Sequence, residues 1–302
     1  MMPDTVAQLS ACRICPRNCG VDRFQTHGYC GAGAEPVVNL SQLHFGEEPV
    51  LSGSRGSGTI FFSHCNLKCV FCQNHTISDQ GWGTKCSIED LARLMLDLQE
   101  RGAHNINLVT PSHYSPQLKE AIREAKNRGL TLPIVWNSNA YEHPESLRDL
   151  NGLIDIYLPD LKFAHALYAK RYCNAADYPE TAISAITEMH SQVGALKTDE
   201  QGIAQRGLII RLLVMPSGLA GIKTSLARIA QQIGTDVQLS LMAQYYPTYQ
   251  AQSYPELNRG IKQAEYDTAV ESALSLGFEQ ILTQELSCSD DWTPEFKQEQ
   301  CI

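Results

Sequence analysis

The sequence has no apolar run long enough to cross a membrane. No stretch approaches the ~18 consecutive apolar residues that a spanning helix needs, and residues 1–10 lack the basic and apolar regions of a secretory signal. We therefore expect a cytoplasmic protein that works without a membrane.

Basic charge is scarce as well. The 302 residues contain 24 Lys and Arg against 33 Asp and Glu, for a formal net charge of -9. Phosphate contacts need clustered Lys and Arg, and no such run is present, so the composition argues against general nucleic-acid binding. Hydrophobic residues make up 43% of the chain, which is enough for a packed core.

Cysteine, by contrast, is abundant. Seven of the 11 cysteines lie within residues 12–72. In a reducing compartment such clustering indicates metal ligation rather than disulfides. We interpret the four scattered cysteines as plain thiols; they are Cys86, Cys173, Cys288 and Cys301.

The most informative motif is C-x3-C-x2-C within residues 63–74, formed by Cys65, Cys69 and Cys72. An iron-sulfur cluster normally takes four Cys ligands, and a site that lacks one protein ligand can hold a substrate or cofactor. The spacing therefore predicts a 4Fe-4S cluster with one open iron. Two alternatives are a zinc site completed by His64 or His75, and ordinary buried cysteines.

A second group of cysteines precedes this motif. It offers four thiolates, enough for a tetrahedral zinc site or a second 4Fe-4S cluster, and the spacing does not select the metal. We expect a structural site that stabilises residues 1–50, and we favour iron-sulfur because a host that loads one cluster could load another. The members are Cys12, Cys15, Cys19 and Cys30.

From residue 59 onward, short apolar runs alternate with amphipathic stretches, which is typical of repeated βα units around a parallel sheet. The predicted strands are residues 58–62, 105–109, 132–136, 154–158, 208–215 and 237–242. Ser87 and Asp90 predict a capped helix over residues 88–101, and a second helix should end near Arg128. We divide the chain into a cysteine-rich extension (1–50), an α/β body (51–285) and a tail (286–302).

Charged residues interrupt or follow two of the predicted strands. Asp160 and Lys162 follow the fourth strand, and Arg211 lies inside the fifth. The C-terminal ends of parallel strands are where such folds place their sites, and a buried charge is costly unless it is paired. These residues either pair with one another or bind a charged ligand.

The cysteine loop, with Phe71 before its last cysteine and the Phe61-Phe62 strand before its first, resembles the signature loop of radical S-adenosylmethionine (SAM) enzymes. Residues 53–74, 105–114, 157–162 and 241–247 resemble the branch related to pyruvate formate-lyase activating enzymes. The resemblance implies a partial (β/α)6 barrel with the cluster after its first strand. The fourth iron would chelate the amino and carboxylate groups of SAM.

The resemblance also implies roles for single residues. Phe71 would lie near the adenine, and Asn74 would order the loop or its ligand. Lys162 would pair with the SAM carboxylate, Asp160 would contribute to a nearby cation or polar site, and Arg211 would help to hold SAM.

The sequence departs from the family pattern after the second strand. Many family members have a Gly-Gly-Glu-Pro turn there to receive the SAM amino group, whereas this chain has Thr110-Pro111-Ser112-His113. The hydroxyls of Thr110 and Ser112, or a backbone carbonyl, could accept the same hydrogen bonds. His113 is a further candidate, as a proton shuttle.

The implied activity is that of a radical SAM oxidoreductase. Reductive cleavage of SAM would give methionine and a 5'-deoxyadenosyl radical that abstracts a substrate hydrogen, with activation of a glycyl-radical protein as one implied role. The implied electron donor is a low-potential protein such as flavodoxin or ferredoxin. Two alternatives are modification or epimerisation of a peptide or small molecule, in which a scattered cysteine returns a hydrogen atom, and a non-catalytic iron-sulfur protein for electron transfer.

Overall fold

The computed structural model describes residues 1–286 and 293–298, and these form one mixed sheet covered by helices. The strands in the described residues are β1 (Val37–His44), β2 (Ser57–Phe62), β3 (Thr84–Lys85), β4 (Ile106–Val109), β5 (Ile134–Ser138), β6 (Ile156–Pro159), β7 (Lys197–Thr198), β8 (Ala204–Leu213), β9 (Gln238–Met242) and β10 (Ile281–Leu282). Their order in the sheet is β3-β1-β2-β4-β5-β6-β8-β9-β10, and β7 pairs with β8 outside this path.

The six predicted strands correspond to β2, β4, β5, β6, β8 and β9, which pair in parallel in this sequence. The short strand β10 extends the parallel part beyond β9. Because β3 and β10 lie at opposite ends of the order, the sheet is open on one side. The predicted fold class, a partial (β/α)6 barrel, is confirmed.

The helices that connect the strands are α1 (Pro3–Ser10), α2 (Pro49–Ser52), α3 (His75–Ser78), α4 (Ile88–Glu100), α5 (Ser115–Asn127), α6 (Pro144–Arg148), α7 (Ala166–Cys173), α8 (Tyr178–Val193), α9 (Ile222–Ile233) and α10 (Gln263–Ser275). Helix α4 has the predicted capping box, in which the Ser87 hydroxyl accepts from the Asp90 amide and the Asp90 carboxylate accepts from the Ser87 amide. No helix of the described residues is long and apolar enough to cross a membrane.

Some predicted strand limits were wrong. The third strand begins at Ile134 rather than at residue 132, because Pro133 has no amide hydrogen for the ladder. The fifth begins at Ala204, four residues before the predicted start at 208, where it pairs with β7.

The sequence reading also missed an antiparallel strand. Residues Val37–His44 form β1, which pairs antiparallel with β2 and with β3. This strand belongs to the stretch that we assigned to the cysteine-rich extension, so the extension contributes an edge to the main sheet. The division into domains itself stays a prediction.

The parallel strands pack tightly at their starts. Every residue of β2, β4, β5 and β6 is buried, as expected for strands that are covered on both faces. Gly58 in β2 lies so close to β4 that a Cβ atom there would stand 2.7 Å from the Asn105 carbonyl oxygen. A larger residue at this position would push the first two parallel strands apart.

Candidate active site

A cavity of about 210 Å³ lies at the C-terminal ends of the parallel strands. Its wall includes all three cysteines of the C-x3-C-x2-C motif, which follow β2. Most of the other site residues predicted from the sequence line the same cavity, namely Phe71, Asn74, Thr110, Asp160, Lys162 and Arg211. The fold therefore brings these predicted residues from the C-terminal parts of four different strands to one place.

The cysteine loop is held by hydrogen bonds to its sulfurs. Cys65 Sγ accepts from its own loop, the Leu67 amide at 3.4 Å, and from the Asn139 side chain at 3.4 Å. Cys72 Sγ and Ser78 Oγ are 3.1 Å apart. Donors of this kind orient thiolate ligands and adjust the potential of a bound cluster.

The environment of the three thiols opposes ionisation while no cation is bound. Burial raises the pKa of Cys65 and raises that of Cys72 to about 12. For Cys69 the largest cause of its raised pKa is a hydrogen bond with Cys173, whose sulfur is 3.3 Å away. The thiols of such a site ionise when they bind metal.

The residues present fit an iron-sulfur cluster with one open position. Three thiols from one loop line the cavity, hydrogen-bonding groups contact two of them, and charged residues form another part of the wall. The fit rests on this donor set, since thiolates are the ligands that clusters take.

Asp160 lies between two cations on that wall. Its Oδ1 accepts from Arg211 Nε at 2.6 Å, and its Oδ2 accepts from Lys162 Nζ at 2.9 Å. These three charged residues therefore pair with one another, which is the first of the two alternatives predicted from the sequence. All three residues also line the cavity.

The ion pairs together have a larger effect than burial on the pKa values of these three residues. Burial alone would raise the pKa of Asp160, but Arg211 and Lys162 hold it below its usual value. Burial opposes the charge of Lys162, yet Asp160 raises the pKa of this lysine. Arg211 behaves in the same way, so the three residues remain ionised.

The sequence reading missed Glu47, which enters the cavity from the segment after β1. Its Oε2 lies 3.2 Å from Arg211 Nη1, and the neighbouring Glu48 lies 3.9 Å from the same nitrogen. Burial raises the pKa of both carboxyls against the effect of Arg211. In the sequence, only the two adjacent glutamates mark this position. Nothing there indicates that Glu47 contacts Arg211 of β8, which is 164 residues away.

Asn137, Ser138 and Asn139 also line the cavity. Asn137 Oδ1 accepts from Arg211 Nη2 at 2.6 Å, and Asn139 contacts Cys65. The sequence contained a signal for these residues, because they are polar and stand at the C-terminal end of β5.

The segment after β4 is only partly in the cavity. Thr110, with φ of +61°, is part of the wall, whereas Ser112 is buried and not part of it. His113 is also buried, and its Nε2 lies 2.9 Å from the Ser63 carbonyl oxygen. Burial holds its pKa well below the usual value, so a neutral His113 supports the cysteine loop from behind. A proton shuttle at this residue does not fit, because the ring does not line the cavity.

Two of the four N-terminal cysteine sulfurs accept hydrogen bonds from the main chain of the same segment. Cys19 Sγ accepts from the Tyr29 amide at 3.3 Å, and Cys30 Sγ accepts from the Ala32 amide at 3.4 Å. Burial raises the pKa of Cys15 to about 12, and the nearby Cys30 and Cys12 add to this effect. In residues 1–286 and 293–298, no three His, Cys, Asp or Glu side chains are grouped as one bound metal ion would require. The metal at these cysteines stays a prediction.

Arg17 joins this N-terminal segment to the cysteine loop. Its guanidinium donates to the carbonyls of Asn66 at 2.7 Å and Leu67 at 3.4 Å, both within the C-x3-C-x2-C motif. It also donates to the carbonyls of Cys173 at 2.9 Å and Asn174 at 2.6 Å. One partly buried cation thus fixes the loop to the end of α7.

Comparison with known proteins agrees with the site. Residues 59–195 match the model of the radical SAM superfamily. The chain is 30% identical over 269 residues to the uncharacterized protein MJ0674 of Methanocaldococcus jannaschii, covering 87% of this chain and 74% of that protein. The chain belongs to the radical SAM superfamily, whose members use a 4Fe-4S cluster and SAM.

Similar solved structures include methylornithine synthase (PylB), with a TM-score of 0.48, 12% identity, and coverage of 79% of this chain and 74% of that one. Another is the FeFe-hydrogenase maturase HydG from Carboxydothermus hydrogenoformans, with a TM-score of 0.48, 14% identity, and coverage of 74% and 52%.

Proposed function

We propose that this protein cleaves SAM reductively at the described cavity and removes a hydrogen atom from a substrate. The observation that supports this proposal is the meeting of Cys65, Cys69 and Cys72 with Asp160, Lys162 and Arg211 around one cavity. When bound, the cluster and SAM supply the chemistry, which yields methionine and a 5'-deoxyadenosyl radical.

The three thiols would hold the cluster and leave one iron for the amino and carboxylate groups of SAM. Lys162 would pair with the carboxylate, because its ammonium group lies in the wall and Asp160 already fixes its position. Thr110 is the better placed of the two hydroxyls proposed for the amino group, since Ser112 lies outside the wall.

Aromatic rings pack beside the last cysteine of the motif, and two of them, Phe71 and Tyr245, line the cavity. Phe71 packs edge-on against Phe163, with ring centroids 5.9 Å apart, and lies 6.2 Å from the ring of Tyr245. All three rings are buried. They exclude water from the place where we expect the adenine, and water exclusion protects reactive intermediates from side reactions. The proposed role of Asn74 is to order the loop beside this wall.

For the substrate, we propose a glycine of a partner protein, as in glycyl-radical activation, with flavodoxin or ferredoxin as the electron donor. This proposal is supported by the sequence Asp160-Leu161-Lys162, which is similar to the Asp-Leu-Lys motif of the glycyl-radical activating enzymes. Epimerisation finds less support in the structure, because Cys86 and Cys173 are buried and do not line the cavity. Cys288 and Cys301 lie outside the described residues.

At Cys12, Cys15, Cys19 and Cys30 we propose a structural 4Fe-4S cluster, with zinc as the alternative. The hydrogen bonds to Cys19 and Cys30 support a ligand role for these sulfurs. Counting iron and zinc after anaerobic reconstitution distinguishes the two: two cubanes give about eight irons per chain, whereas one cubane with zinc gives about four.

Product analysis tests the main proposal. The reconstituted, dithionite-reduced protein should convert SAM to methionine and 5'-deoxyadenosine, and Cys72→Ser should not. Lys162→Met should raise the KM for SAM at least tenfold, whereas an electron-transfer protein would tolerate this change. Absence of 5'-deoxyadenosine from protein with an intact cluster would refute the proposal.

A further inference from the structure

Residues 293–298 run from the cavity to an edge of the sheet. Thr293 and Pro294 are part of the cavity wall that contains the three cysteines of the motif. At the other end of this tail, the Gln298 carbonyl accepts a hydrogen bond from Gly83, in the segment that leads to β3. The tail therefore forms part of the cavity wall.

An aromatic side chain attaches the tail to β2. The Phe296 ring packs edge-on against Phe61, with centroids 5.5 Å apart and an angle of 70° between the rings. Phe61 itself lines the cavity. Ile77 and Val109 complete the apolar patch that Phe296 covers. An aromatic ring that is partly buried in such a patch is a typical anchor of a bound peptide.

Main-chain atoms of the tail are recognised at two further points. Asn39 Nδ2 donates to the Lys297 carbonyl at 2.7 Å, and the Gly83 amide donates to the Gln298 carbonyl at 3.2 Å. Such bonds recognise any polypeptide backbone and do not depend on its side chains.

The donors are fixed by the body of the protein. Asn39 is completely buried, and its amide also donates to the Trp82 carbonyl at 3.0 Å. Gly83 has φ of +145°, and a Cβ atom there would lie 2.6 Å from the Val38 carbonyl oxygen. Both donors are thus held in place before any ligand arrives, which reduces the entropy lost on binding.

We infer that Asn39, Phe61 and Gly83 form a peptide site, meaning a binding site for a non-helical polypeptide segment with an aromatic residue. The tail, residues 293–298, is its intramolecular ligand. A polypeptide that binds in trans displaces the tail and gains access to the cavity. This inference deepens the proposed function, since it makes the substrate of the cavity a polypeptide.

The size of the cavity supports displacement. With the tail in place the cavity measures about 210 Å³, below the ~300–1,000 Å³ of most ligand pockets. Withdrawal of Thr293 and Pro294 removes part of the wall and enlarges the cavity.

Peptide binding tests the inference without any turnover. A fluorescent hexapeptide with the sequence of residues 293–298 is titrated into the reconstituted full-length chain and into a variant that ends at Trp292, with fluorescence anisotropy as the readout. The truncated protein should bind the peptide at least tenfold more tightly than the full-length protein does. The same peptide with Ala in place of its Phe is the matched control, and it should bind at least tenfold more weakly.

Equal binding of the peptide by both proteins, or equal binding of the two peptides by the truncated one, would overturn the inference. Circular dichroism establishes whether the truncated protein is folded. If it is not, the full-length variant Phe296→Ala replaces it, because loss of the anchor should also free the peptide site. Failure of SAM cleavage would leave these results unchanged, so the two proposals can fail separately.

Discussion

Arg211 in β8 donates a hydrogen bond to Asp160 at the end of β6, with 2.6 Å between Nε and Oδ1. The same two residues form a parallel bridge between their main chains. Asp160 thus joins two neighbouring strands of the open barrel and also holds Lys162. The integrity of this part of the cavity wall therefore depends on one carboxylate.

Asp160→Asn should destabilise the protein strongly. The substitution leaves Arg211 and Lys162 buried without their main anion, and breaking a buried pair on one side costs about 3–5 kcal/mol. Glu47 still contacts Arg211, so we expect a loss near the lower end of this range. Urea unfolding measures it. The control is Asp97→Asn, whose partner Arg101 is 3.5 Å away on an exposed helix face; there we expect a change below about 0.5 kcal/mol. Equal effects of the two substitutions would contradict the account.

Arg17→Lys should loosen the cysteine loop. Lysine cannot reproduce the planar set of donors that Arg17 directs at four carbonyls. We expect the reconstituted variant to lose iron from the Cys65 loop to a chelator several times faster than the wild type. Arg13→Lys is the control, since Arg13 is exposed in the same segment. If both variants release iron at the wild-type rate, Arg17 has no role in holding the loop.

Asn139→Leu should lower the reduction potential of the cluster. The Asn139 amide donates to Cys65 Sγ at 3.4 Å, and donors to sulfur favour the reduced, more negative cluster. Loss of one hydrogen bond of about 1 kcal/mol corresponds to roughly 40 mV for one electron. Redox titration followed by electron paramagnetic resonance measures the shift, and Asn151→Leu on the exposed surface is the control. A potential that stays constant or rises would show that this contact does not act on the cluster.

Glu265→Gln should make stability less dependent on acid pH. Arg259 and the amides of Lys262 and Ser217 hydrogen-bond the Glu265 carboxylate and lower its pKa from 4.5 to about 2. The folded state therefore gains stability above pH 4.5 and loses it as the pH falls through 2. The shift corresponds to about 3 kcal/mol, which partial exposure to solvent reduces to about 1–2 kcal/mol.

We expect the variant to be less stable than the wild type at pH 7 by this amount, and the two unfolding free energies to converge towards pH 2. Glu271→Gln on the exposed face of α10 should change neither value. A stability difference for Glu265→Gln that is constant from pH 7 to pH 2 would exclude the pKa shift as its cause.

Local patterns predicted much of the fold. The six parallel strands and the Ser87 cap follow from apolar periodicity and from short-range hydrogen bonding, which depend on neighbours in the sequence. The C-x3-C-x2-C motif was equally clear because its three cysteines lie within eight residues. The antiparallel strand β1 was missed because most of its residues are only partly buried, which gives a weak apolar signal.

The long-range contacts could not be predicted. Glu47 reaches Arg211 across 164 residues, and Asn39 reaches Lys297 across 258. These contacts arise only when the whole chain has folded, and each involves a polar residue that looks like an ordinary loop or surface residue in the sequence. The charges of Asp160, Lys162 and Arg211 were recognised as needing partners, but their mutual pairing required the structure.

The central claim is that Cys65, Cys69 and Cys72 hold a cluster with one iron open to SAM. Electron-nuclear double resonance on the reduced, reconstituted protein tests it most directly, with SAM labelled by ¹⁵N at its amino group and by ¹⁷O at its carboxylate. We predict hyperfine coupling of both labels to the cluster in the wild type and in the quadruple Ala variant of Cys12, Cys15, Cys19 and Cys30. A reduced cluster that is present at full occupancy but shows no coupling to either label would contradict the account.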